Sequence, residues 1–174
     1  GRVWLSPPDL LLISITACGR GPPGKVMHRN GAKPRDRVLV TGTIGDAALG
    51  LAVLGGGKFH AAITDTTARD QLIGRYRVPQ PRNAVAKAVR EHAHAAMDVS
   101  DGLAGDLTKL CAASGVSAAI HAPSIPLSKP AAALLSRGSV SLESLISGGD
   151  DFVILCAIPE ASLDAFAQAA RKAG

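Results

Sequence analysis

Aromatic residues make up only 3% of the 174-residue chain: one tryptophan, one tyrosine and three phenylalanines. Bases of single-stranded nucleic acid stack on aromatic faces, so this chain has little from which to build a stacking platform, although its formal charge is +5. The basic residues are dispersed, which suits an anionic small ligand such as a nucleotide phosphate better than nucleic acid. No apolar run reaches the roughly 18 residues of a membrane-spanning helix, and the longest candidate, residues 10–18, is interrupted by Ser14 and Thr16. Cysteine is scarce: Cys18, Cys111 and Cys156 are odd in number, far apart and outside CxxC spacing. That argues against a disulfide framework or structural zinc, fits a reducing, cytoplasmic setting, and leaves each thiol to read as a small buried hydrophobe. HExxH and GxSxG are both missing, and His92 and His94, two residues apart, would diverge on a helix, so zinc-protease and serine-hydrolase chemistry have no support. There is no internal repeat and no recognisable signal peptide.

What is present is apolar and turn-rich. Apolar residues make up 47% and charged residues of both signs 19%, enough for one compact domain rather than disorder. Nineteen glycines and eleven prolines imply many tight turns. Residues 10–17 read as a buried strand, and Pro22, Pro23 and Gly24 then suggest a boundary. A short strand, RVLVT, runs through a Gly42–Gly45 turn into a helix over 46–54. Helices are predicted over 65–76 and 83–95, interrupted by Pro79 and Pro81. Leu103, Leu107 and Leu110 share the face of another helix. Residues 117–122 look like a strand, 131–135 like a short helix, 152–158 like a buried strand, and 163–173 like an amphipathic helix with Ser162 as its N-cap. The expected fold class is α/β (α+β), a mixed sheet backed by helices.

Four segments could carry chemistry. In Met97-Asp98-Val99-Ser100-Asp101-Gly102, followed by Asp106, two carboxylates and a hydroxyl gather where a strand or loop runs into a helix. Asp98 and Asp101 can converge on a hard divalent cation such as Mg²⁺, with Ser100 donating to a phosphate. The same residues also read as an N-cap, with Ser100 or Asp101 capping and the remaining acids favouring the helix dipole. In Gly148-Gly149-Asp150-Asp151, two adjacent acids lead into an apolar run and would be costly unless one met a cation or a donor; a solvated turn explains them equally well. Arg29 and Lys33 flank a glycine turn where a guanidinium could grip phosphate, although a surface arginine is commonplace. The TGTIGDAALG segment lacks the GK[ST] ending of a phosphate loop and reads as strand-to-helix packing.

Taken in order, RNGAKPRD, VTGTIGDAALGL, RYRVPQPR, MDVSDGLAGDL and SGGDDFVIL resemble the carboxy-terminal half of the thiamine-monophosphate kinase family, collinearly from about residue 10 onward. That family shares its superfamily, and the fold expected here, with aminoimidazole ribonucleotide synthetase and selenophosphate synthetase. The resemblance implies ATP-dependent, Mg²⁺-assisted phosphorylation of thiamine monophosphate to thiamine diphosphate without a phosphoenzyme or a general-base residue. Asp98 and Asp101 match the family's metal-binding aspartates, Ser100 and Arg29 its ATP contacts, and Asp150 the position of its substrate-binding glutamate. Three departures stand out. Asn30 replaces a common serine, Asp150 is one methylene shorter than glutamate, and Phe152 and Val153 replace a tyrosine and a second glutamate. The family pattern makes residues 1–23 the last strand and linker of a missing amino-terminal domain, and 24–174 a closing domain incomplete at its end. The chain alone is then expected to be weakly active or inactive, with a homodimer formed through the missing domain, and with no nucleic-acid or membrane partner. The alternatives are another ATP-dependent enzyme of the same superfamily, or a non-catalytic nucleotide-binding remnant.

Overall fold

A computed structural model describes residues 14–24, 26–56 and 63–173. Its centre is a three-stranded sheet of β1 (Arg37–Val40), β2 (Ala95–Asp98) and β3 (Ile154–Ile158), in the order β1-β3-β2. Both pairings are antiparallel, so among the described residues the sheet is antiparallel rather than mixed; Leu39 sits opposite Cys156, and Met97 opposite Leu155. The last strand in sequence is the middle one in space and is covered on both faces. This explains its unbroken apolar run, Ile-Leu-Cys-Ala-Ile.

The period-2 alternation of β3 sorts its side chains between two cores. Leu155 and Ala157 pack with Val99, Leu103, Leu107 and Leu110 beneath α4 (Leu103–Ser114). Cys156 and Ile158 face the opposite way, toward Val85, Val89 and Phe166 of the 3₁₀ turn Asn83–Val85, α3 (Ala86–His92) and α7 (Leu163–Ala173). A third cluster joins α1 (Asp46–Leu54), α2 (Thr66–Arg77), α5 (Lys129–Ser136) and α6 (Leu142–Ser147) through Leu49, Val53, Leu72, Leu134 and Leu145. The α1 and α2 backbones touch where Gly50 lies: a methyl group there would stand 2.1 Å from the Leu72 carbonyl oxygen.

Three of the predicted elements change most. The predicted strand at 10–17 falls partly outside the described residues; Ser14 to Ala17 are exposed and form no regular structure. An isolated strand leaves its peptide groups unpaired, and no described segment pairs with this one. Residues 117–121 are likewise exposed and belong to no described strand, and a 3₁₀ turn, Ala122–Ser124, follows with Pro123 inside it. The helix expected over 83–95 stops at His92, because Ala95 is drawn into the sheet opposite Ala157. Cys111 and Cys156 are buried as expected, but Cys18 is exposed. No described helix is long and apolar enough to cross a membrane.

Candidate functional site

The β2–α4 turn carries Asp98, Ser100 and Asp101, and its local folding separates the capping reading from the ligand reading. Gly102 is the N-cap of α4 and supplies no side-chain hydrogen bond. The cap comes from within the helix: the fully buried Asp106 carboxylate accepts the Ser100 and Asp101 N–H groups, both at 2.9 Å, and the Lys109 ammonium at 2.8 Å. Burial pushes the Asp106 carboxyl up, but Lys109 and the two N–H donors outweigh it and hold the group below the ordinary aspartate range. Asp98 and Asp101 therefore do no capping, and both are exposed. The Lys109 ammonium also pairs with Asp101.

The SGGDDF segment crosses this turn and is laced to it through the main chain. The Val99 N–H donates to the Val153 carbonyl, the Phe152 N–H to the Val99 carbonyl and the Asp150 N–H to the Ser100 carbonyl, each at 2.9 Å. Crossing so closely requires glycine. A methyl group on Gly149 would lie 2.4 Å from the Ser100 carbonyl oxygen, and Gly102, at φ 103°, has the Ser147 main chain within 2.9 Å of where its Cβ would be. Asp150 and Phe152 both sit in the left-handed region, at φ 68° and 48°, so the chain alternates direction and sends neighbouring side chains apart.

The two adjacent acids consequently diverge. Asp151 is buried and caps α1 from more than a hundred residues away, accepting the Gly45 N–H at 2.6 Å and the Ala47 N–H at 3.1 Å. Burial pushes its carboxyl above the usual range; the two N–H donors offset part of this, and neighbouring Asp46 adds to it. Asp150 is half-buried and its carboxylate meets no described hydrogen-bond partner. The helix-packing reading of TGTIGDAALG agrees with this geometry, since buried Asp46 accepts the Thr43 and Ser128 hydroxyls.

Ser100, Asp101 and Asp150 thus sit on two loops tied together by backbone, with Asp98 at the end of β2 leading into the first of them. Arg29 is placed elsewhere. Its carbonyl accepts the Ser114 hydroxyl at the far end of α4, and its exposed side chain makes no described contact with the turn. Among the described residues no three acidic, histidine or cysteine side chains cluster as a metal cage. Two exposed carboxylates are the usual protein share of a Mg²⁺ site whose remaining ligands are phosphates and water. Beside Asp98 runs a groove of about 1100 Å³, bordered by Arg82, Arg90, Met97, Phe152 and Ile154. Sequence reasoning assigned Arg82 no role of its own; the available signal was its place after two prolines in RYRVPQPR.

Residues 33–174 match the family model of the AIR synthase related protein, C-terminal domain. The chain belongs to this family. As a member of the AIR synthase related C-terminal domain family, it is 42% identical over 94% of its length to the thiamine-monophosphate kinase of Caulobacter vibrioides, covering 46% of that relative. The crystal structure of the thiamine-monophosphate kinase from Stenotrophomonas maltophilia superposes with a TM-score of 0.76 at 32% identity, over 86% of this chain and 47% of that one. AaThiL complexed with AMPPCP and TMP superposes at 0.70 and 30% identity, over 80% and 44%. The chain spans about half the length of the curated relatives it matches.

Proposed function

We propose that the chain is the carboxy-terminal half of a thiamine-monophosphate kinase and takes part in direct phosphoryl transfer from ATP to thiamine monophosphate. The observation that carries this reading is the division of labour on the β2–α4 turn. Asp106 does the capping, so Asp98 and Asp101 remain available as hard oxygen donors. The kinship with thiamine-monophosphate kinases, one of them in complex with AMPPCP and TMP, supports it.

The donor set suits Mg²⁺, which when bound would neutralise and align phosphate oxygens. Asp98 and Asp101 would hold it, and Asp101 would exchange its Lys109 partner for the metal. Ser100 would donate its hydroxyl to an ATP phosphate, Arg29 would contact the nucleotide, and Asp150 would orient the thiamine substrate. In the transfer, a phosphate oxygen of thiamine monophosphate bonds to the terminal phosphorus of ATP as the bond to the ADP oxygen breaks. Positioning and charge neutralisation supply the catalysis, so no histidine base is needed.

The amino-terminal half and the dimer contacts would lie in chain outside these 174 residues, and the isolated chain would turn over weakly or not at all. The test is thiamine diphosphate formation by the full-length gene product beside its Asp98→Asn variant, with selenide and aminoimidazole precursors as alternative acceptors. Product in the parent and none in the variant is the expected result; a folded parent that makes no thiamine diphosphate overturns it.

A further inference from the structure

Arg82, which lines the groove beside Asp98, and its neighbour Arg75, buried outside the groove lining, are cationic groups that the roles above leave unused. Arg75 is only 8% exposed. Its Nη2 donates to the Asp151 carbonyl at 3.2 Å, while its Nε and Nη1 are sealed from solvent and meet no acceptor among the described residues. Arg82 lies close by, its Nε likewise sealed and unpartnered. The Arg82 guanidinium rests on Gly42, where a methyl group would stand 2.7 Å from Nη2 and 3.3 Å from the central carbon. Glycine at 42 is thus what admits the guanidinium. The terminal nitrogens of Arg82 make no hydrogen bond to a described residue, and the side chain borders the groove together with Asp98.

Two neighbouring guanidinium groups with sealed N–H donors are an unfavourable arrangement unless something negative offsets them. Burial pushes the Arg82 guanidinium pKa down, and the like charge of Arg75 adds to this. A phosphoryl group offers several anionic oxygens that the planar fork of an arginine can grip in pairs; Arg20 and Arg90 line the same groove, and Asp98 is its one acidic lining residue among the described residues.

We propose that Arg82 is a phosphate-binding residue: its exposed guanidinium edge, seated on Gly42 and backed by Arg75, takes a phosphoryl oxygen of an organic phosphate bound in the groove beside Asp98. Which organic phosphate this is rests on the reading above and is the nucleotide or thiamine monophosphate.

The test uses the full-length gene product as wild type, Arg82→Gln and Arg82→Lys. Each is titrated calorimetrically with a non-hydrolysable ATP analogue plus Mg²⁺, with thiamine monophosphate and with inorganic pyrophosphate, and each is melted thermally. Arg82→Gln is expected to weaken one of the two organic phosphates roughly 10- to 100-fold, the range for a lost charge-assisted hydrogen bond. Arg82→Lys should recover part of that affinity, and neither variant should melt lower than wild type. The ligand that weakens identifies which phosphate Arg82 holds. Affinities within twofold of wild type for all titrants overturn the proposal, as does a lower melting temperature with all ligands weakened equally, which marks Arg82 as packing only. Arg82-dependent binding without thiamine diphosphate formation would sink the kinase reading and keep this one. A wild type that turns over while Arg82→Gln matches it in binding and rate does the reverse. Failure of wild type to bind any of the three overturns the proposal outright.

Discussion

Replacing Asp106 by alanine probes the turn on which the functional reading depends. The carboxylate is fully buried and satisfies the N–H groups of Ser100 and Asp101, each at 2.9 Å. Removing it leaves two donors without an acceptor, at about 1–3 kcal/mol each when buried. The turn is only part-buried and water can reach it, so the lower end applies and the total comes to about 2–3 kcal/mol. Urea denaturation should show a lower midpoint at unchanged slope. Asp101→Asn is the control: its side chain is exposed, and the change should stay within about 0.5 kcal/mol. The acid limb gives a second readout. Because the folded Asp106 pKa lies below its ordinary 3.8, the folded state binds fewer protons than the unfolded one between the two values. Its contribution is therefore complete above the ordinary value and is lost as pH falls through the folded one, a sensitivity that Asp106→Ala should reduce. An Asp106→Ala variant as stable as wild type, or an Asp101→Asn variant equally damaged, would refute the assignment of the cap.

Further expectations concern packing and accessibility. Gly149→Ala forces a methyl group toward the Ser100 carbonyl and should cost roughly 1–3 kcal/mol in a thermal melt. Gly105→Ala, inside α4 with nothing within 4 Å of the added methyl, should instead stabilise by about 0.5–1 kcal/mol. Leu155→Ala in the middle strand should cost about 2–5 kcal/mol by urea titration. A thiol reagent on the native protein should label Cys18 quickly and Cys156 only on unfolding, since burial pushes the Cys156 pKa up to about 12.

Where local periodicity matched packing, the elements were legible. Leu103, Leu107 and Leu110 predict α4, and all three are buried against the sheet. Strands were harder to read. The runs at 117–122 and, in its described part, 10–17 have strand-like composition but no partner to pair with, whereas Ala95 sits in a helix-favouring sequence and joins the sheet because β3 offers it hydrogen bonds. The six-residue α6 is too short for a period to emerge, and only Ser141, whose hydroxyl accepts the Ser144 N–H, marks its start. Within the site, the acids stood out by composition, but their division of labour did not. That Asp106 caps rather than Ser100 depends on how the turn folds back on its own helix, and that Asp151 serves a helix over a hundred residues distant, while the Asp150 carboxylate meets no described partner, depends on contacts between segments remote in sequence.

The lacing of the VSD turn to the GDDF segment runs entirely through peptide groups. Two strips of chain fifty residues apart are buttoned together without recourse to the side chains they display. Exchanging those side chains, as with Asp150 and Phe152 at positions where the resembled family carries glutamate and tyrosine, need not loosen the button. The scaffold can thus keep its exposed aspartate turn constant while the side chains of the neighbouring strip are rewritten.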